Sequence, residues 1–222
     1  NMESESAQPY TAVVEAVPNP ALPEEPGRTM EEGQQPEPPY NIKMTGTAVF
    51  RGDKLAGYLN QIESRGLLWA RGEVKGGVIR VPSPSGQGLL SLEILRSKSG
   101  LRPEIREGLV YMTVQVEAES NLRETSGPLD LEKAGTMYQL EAAMASAVQS
   151  EIDAALKKAQ QEYQSDVFGF GEALSRKYPR QWEEMKPRWQ QIFPGVQVQY
   201  QVEAKIRHTG TISQPAKSKE AS

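Results

Sequence analysis

The chain has 222 residues, 37% of them apolar and 24% charged, which allows one ordinary domain or two small ones. No apolar run approaches the ~20 residues of a membrane helix. With no cysteine and a single histidine, His208, the sequence excludes disulfides, thiolate nucleophiles, cysteine-ligated metals and histidine-rich metal sites.

The formal charge of −4 hides a split: residues 1–40 hold eight Glu and one Arg, a net of −7, so residues 41–222 sum to +3. Residues 1–20 lack the basic and apolar regions of a signal peptide, and Asn1 ahead of Met2 is expected of a piece of a longer protein. The first forty residues also carry eight of the sixteen prolines. Such a segment cannot bury enough apolar surface to offset chain entropy. Residues 1–40 therefore read as an acidic, Pro-rich leader, with 19–40 a mobile linker and the alternating stretch 10–17 able to add one edge strand. The folded unit is expected over 41–210, followed by a polar tail at 211–222.

Within that unit, residues 42–50 alternate as a strand, with Ile42, Met44, Gly46, Ala48 and Phe50 on one face. Arg51-Gly52-Asp53 reads as a turn, after which Asp53 is expected to cap a short helix over 55–59. Residues 60–71 continue with helical spacing through Ile62, Leu67 and Trp69, although Gly66 weakens the pattern. Strands are expected at 78–81, 89–95 and 109–118. The last sets Val110, Met112, Val114, Val116 and Ala118 on one face, an alternation that predicts a half-buried antiparallel sheet.

From 131 to 163 apolar residues recur at helical spacing through Leu140, Met144, Val148, Ile152 and Tyr163, predicting one long helix behind Asp130 as its cap. Ser165-Asp166 caps a shorter helix. Pro179 begins a third, Pro187 interrupts it between Trp182 and Trp189, and Pro194-Gly195 ends it. Alternation from Val196 to Ile206 makes a final strand. The class is α+β: a mostly antiparallel sheet of about five strands with one long and several shorter helices packed on one face.

The usual catalytic arrangements fail by inventory. His208 sits on the polar face of the last strand, whereas a triad base needs a cleft and a neighbouring nucleophile. No Walker A or GxSxG sequence occurs. Gly169-Phe170-Gly171 has Leu174 where a dinucleotide fingerprint needs its third glycine, and it follows a helix rather than a strand. It reads instead as two glycines admitting close helix approach while Phe168 and Phe170 fill the core. The acidic pairs Glu24-Glu25 and Glu31-Glu32 fall in the linker, and Glu183-Glu184 on the exposed side of a helix. None has the apolar walls that raise a general acid's pKa. Basic residues alternate with acids, so no nucleic-acid footprint is expected, and no basic amphipathic helix marks a membrane surface. The Met- and Ala-rich stripe of 131–163 either seats a partner helix or is core. With no cofactor or metal implied, function is expected to lie in contacts.

Several stretches in series carry a resemblance: GTAVFRGDKLAGYLN at 46–60, RGLLWARG at 65–72, SDVFGFGEAL at 165–174, then Trp182, Trp189 and IFP at 192–194. In that order they resemble the C-terminal domain of the Ger(x)C lipoproteins, the C subunits of nutrient germinant receptors of spore-forming Firmicutes. The resemblance covers about residues 40–210. It implies a non-enzymatic subunit tethered by an N-terminal lipid anchor to the outer face of the spore inner membrane, partnered by the receptor's A and B subunits. It supplies no catalytic residues. The positions it singles out as structural or interaction residues are Phe50, Asp53, Gly57, Trp69, Asp166, Phe168, Gly169, Phe170 and Gly171. Two functions stay open: an interaction module, and direct sensing of a small-molecule germinant, which would be supported by an aromatic-lined cavity near Trp69 or Trp182. An unrecognised hydrolase would instead need a cluster of acid, base and nucleophile.

Overall fold

Seven strands, in two sheets, make the β part of the computed structural model, which describes residues 7–18, 40–131 and 133–209, with His208 and Thr209 as backbone only. The expectations for the linker, the polar tail and the His208 side chain lie outside the described residues. The first sheet joins β1 (Tyr10–Pro18), β2 (Tyr40–Arg51) and β3 (Lys54–Leu59) in that order, all antiparallel. The second joins β4 (Gly77–Pro82), β5 (Leu89–Arg106), β6 (Leu109–Thr125) and β7 (Gln197–Thr209). The class is α+β and mostly antiparallel, with the strands divided between sheets of three and four where a single sheet of about five was expected.

Part of that difference is residues 55–59, which form strand rather than helix. Gly52, at φ 63°, reverses the chain so that Phe50 pairs with Leu55 and Arg51 with Lys54. Asp53 is exposed in that turn and caps no helix. The β5–β6 hairpin is also longer than the apolar pattern at 89–95 and 109–118. Its ladder runs on through charged residues to a turn in which Glu107 (φ 51°) and Gly108 (φ 79°) are both left-handed. Backbone pairing carries strands through stretches whose side chains announce none. β7 lies parallel to β6, against the antiparallel expectation for that strand, because the helical connection returns the chain to the same end of the sheet.

Helix α1 (Gln61–Arg71) opens with a reciprocal capping box. Asn60 Oδ1 accepts from the Glu63 N–H at 3.0 Å, and the Asn60 N–H donates to Glu63 Oε2 at 2.7 Å. The long helix α2 (Thr136–Lys157) starts after Gly135, later than expected, since Asp130 accepts from the Lys133 N–H in a turn instead. It continues as a π-helix, Lys158–Tyr163. Then come α3 (Phe170–Lys177), α4 (Pro179–Met185, with proline in its first turn) and the single turn α5 (Trp189–Ile192).

The stripe along α2 is core. Leu140, Met144, Val148 and Ile152 are wholly buried, in one cluster with Leu92, Met112 and Val114 of the second sheet. Gly66, which weakened the helical pattern, is what lets α1 reach α2. A Cβ there would lie 1.9 Å from the Glu151 carbonyl oxygen, so only glycine permits the two backbones to touch.

Candidate functional site

The SDVFGFGEAL block forms the loop before α3, and Asp166 organises it. This carboxylate is 2% exposed. It accepts from the N–H groups of Gly169 (3.0 Å), Phe170 (3.0 Å) and Gly171 (2.7 Å) and from the Trp189 indole (2.9 Å). Burial pushes its pKa above the usual Asp value, while the four donors pull the other way. A carboxylate has about four lone-pair sites, so these donors leave none for a metal or a substrate. Gly169 takes φ 80°, a left-handed turn that aims the amides at the carboxylate. Gly169 therefore serves the turn, and both glycines donate their N–H groups to the carboxylate. Phe168 and Phe170 do enter the core. With Phe193, Trp189 and Trp182 they make a chain of ring contacts spaced 5.3 to 6.2 Å.

The other blocks converge on this loop. The Ser165 hydroxyl donates to the Phe50 carbonyl of β2. From the end of α1, the Arg71 guanidinium donates to Val167 O at 3.0 Å and to Glu73 at 2.8 Å, and its centre stands 5.0 Å over the Tyr10 ring. Tyr10 donates to Glu73 at 2.7 Å; burial and that bond raise its pKa to about 12. Burial works against the Glu73 charge, but the Arg71 and Tyr10 hydrogen bonds bring its carboxyl below the ordinary value. Residues 8 to 10 are thereby threaded into the junction. The Gln8 N–H donates to Asp166 O, Phe50 donates to Pro9 O, and Gly52 donates to the Gln8 side chain.

A second polar node joins α1 to α2. Glu151, 7% exposed, accepts a fork from Arg65 (the Nε contact at 2.8 Å) and the Trp69 indole at 3.0 Å. Gly57 of β3 lies against Tyr163: a Cβ there would be 2.4 Å from the ring, whose hydroxyl donates to Tyr58 O.

Of the residues singled out from sequence, Phe50, Asp166, Phe168, Gly169, Phe170 and Gly171 meet in one junction. Trp69 and Gly57 hold neighbouring contacts, and Asp53 stands apart at the surface. Sequence reasoning missed Arg65, Arg71, Glu73, Glu151 and Tyr10. One signal was present, since Glu151 interrupts the apolar stripe between Val148 and Ile152.

Trp69 is wholly buried. Beside Trp182 and Trp189 runs an open groove of about 350 Å³, walled by Gln8, Arg188, Gln190 and Gln191. Both indoles line its floor, each only 6% exposed. Glu183 and Glu184 are exposed, as expected. Among the described residues no group of three acids or imidazoles is placed to hold a metal ion, and no helix is long and apolar enough to cross a membrane.

Fold and junction together define a mixed α+β module in which two buried acids, Asp166 and Glu151, and the half-buried Arg65 and Arg71 hold loops and helices in register. The chain belongs to the family described as spore germination B3/GerAC like, C-terminal, which it matches over residues 45–210. It is 32% identical over 173 residues to spore germination protein YndF of Bacillus subtilis, and 29% identical over 193 residues to spore germination protein KC of the same organism. These alignments cover 77% and 86% of this chain but 43% and 47% of the relatives, so the chain spans about half their length. The crystal structure of the GerBC protein shares the fold, with a TM-score of 0.69 at 23% identity over 76% of this chain and 53% of that one.

Proposed function

We propose that this chain is a non-enzymatic interaction module of a spore nutrient germinant receptor, serving assembly and germination signalling. Its partners are the A and B subunits, and the whole protein is held by an N-terminal lipid anchor on the outer face of the spore inner membrane. The observation that carries this reading is the saturation of Asp166. The most distinctive motif of the chain is turned inward, its carboxylate is 2% exposed, and every acceptor site is filled by the chain's own N–H groups. What remains for other molecules is surface.

The relatives named as spore germination proteins support the biological setting. Direct germinant sensing draws support from the groove beside Trp182 and Trp189, whose volume suits an amino acid or sugar. Amide shifts of the labelled chain, followed while amino acids, sugars and nucleosides are added, separate the two. The module reading expects no saturable shift, and saturation at micromolar ligand localised to residues 182–191 would establish sensing instead.

A further inference from the structure

Strand β2 is paired along most of its length with β1, but with β3 only at residues 47–51. Val13 pairs with Gly46 and Val14 with Met44, so Thr45 is an extra residue, a bulge that twists the ribbon where β3 stops. Beyond it, the Met44 carbonyl accepts from the Gln61 side chain at 3.2 Å. The backbone of residue 44 therefore points away from β1, and by alternation so does that of residues 42 and 40. The side chains of Tyr40, Ile42 and Met44 share one face and are 58%, 78% and 55% exposed, with Val14 beside them at 57%. Lys43 is directed to the other face, in register with Glu15. Residues 40–44 contain no proline, and no further strand of the described residues covers this edge. The usual protections of an edge strand are mostly missing here.

We infer that this edge pairs with the same edge of a second copy of the chain, antiparallel and two-fold about Ile42. That register sets Ile42 against Ile42, exchanging both backbone hydrogen bonds, and Tyr40 against Met44. On the opposite face Asn41 meets Lys43, so no like charges oppose, whereas a register centred on Lys43 would set lysine against lysine. Tyr40 of the second copy then arrives at the mouth of a groove of about 210 Å³ lined by Met44, Gln61, Leu68 and Val74. Met44, Leu68 and Val74 give its ring an apolar wall, while Arg65, Glu73 and Lys75 line the rest of the groove. The two β1–β2 ribbons become one continuous sheet. The inference rests on the exposed edge alone and not on the contacts proposed with other receptor subunits, so a chain that fails to dimerise leaves the assembly reading intact.

The chain has no cysteine, which makes single-cysteine variants clean reporters. Facing residues of a hydrogen-bonded pair have Cα atoms ~5.5 Å apart, within disulfide reach. Ile42→Cys is expected to form a disulfide-linked dimer under mild oxidation, and Tyr138→Cys, exposed on α2, is not. In sedimentation equilibrium the unmodified chain is expected to dimerise below about 100 µM. Ile42→Lys, at a surface position that leaves folding unchanged, is expected to weaken the dimer about tenfold or more. A chain monomeric throughout, with Ile42→Cys no more cross-linked than Tyr138→Cys, overturns the inference. A dimer indifferent to Ile42→Lys overturns it as well.

Discussion

At Asp166 one carboxylate closes a loop, starts a helix and holds an indole, and the arrangement depends on its charge. Asp166→Asn replaces one acceptor oxygen by an amide that points N–H at N–H, leaving buried donors unpaired. We expect a loss of about 3 kcal/mol or more in denaturant midpoint measurements. Trp189→Phe removes one donor and leaves the carboxylate three, so about 1.5 kcal/mol is expected. Equal losses in the two variants would mean that the carboxylate does not organise the loop. Tyr10 gives a pH dependence. Its pKa is raised from 10 to about 12 by burial and by its bond to Glu73. Below pH 10 both folded and unfolded chains keep the proton; between 10 and about 12 the unfolded chain loses it first, so stability falls as pH rises through that window. Tyr200, raised by burial and by Asp153, acts in the same direction. Urea midpoints compared at about pH 9 and about pH 11.5 should show the drop, smaller in Tyr10→Phe. An identical drop in that variant contradicts the assignment. Asp166 was legible as a cap because its spacing to the helix is local. Its bond to Trp189, 23 residues away, was not, because nothing in the spacing of the two says that they meet.

Among the elements, α1 and α2 show how a local rule can mislead. Glycine lowers helix propensity, and the pattern at 60–71 looked weaker for containing one. Yet the α1–α2 contact exists because Gly66 has no Cβ to meet the Glu151 carbonyl at 1.9 Å. Gly66→Ala should therefore cost about 3 kcal/mol by forced separation of the helices, overriding the ~1 kcal/mol that alanine gains in helix propensity. Gly57→Ala meets only the Tyr163 ring, a side chain able to swing, and about 1 kcal/mol is expected. Thermal unfolding of the two variants checks the order, and a stabilised Gly66→Ala would refute the close approach. Elements with a strong local period, α1, the body of α2 and the strand now seen as β7, were legible. Residues 55–59 were not: the five residues LAGYL suit a helix or a strand equally, and pairing with β2 decides. The charged reach of β5 beyond residue 95 is likewise set by its hairpin partner.

For the whole molecule, the acidic leader and the near-neutral remainder divide the net charge of −4 unevenly, and the described surface balances its own charges. Across β5, β6 and β7, Glu119 is held between Arg96 and Arg207, which draw its carboxyl down to about 2. Lys157 and Arg176 pair with acids one helical turn away. Such a surface offers shape, sheet face and edge rather than a focused field, which suits the docking role proposed above. The most direct test of that role is photo-cross-linking in spores, with a benzophenone side chain placed in turn at Gln201 on the outer sheet face, Tyr138 on α2, Gln191 on α5 and Ile42 on the ribbon. At least one of these positions should yield an adduct with another receptor subunit during dormancy or germination. A chain that folds, reaches the spore membrane and yields no such adduct from any of the four would contradict a role in receptor assembly.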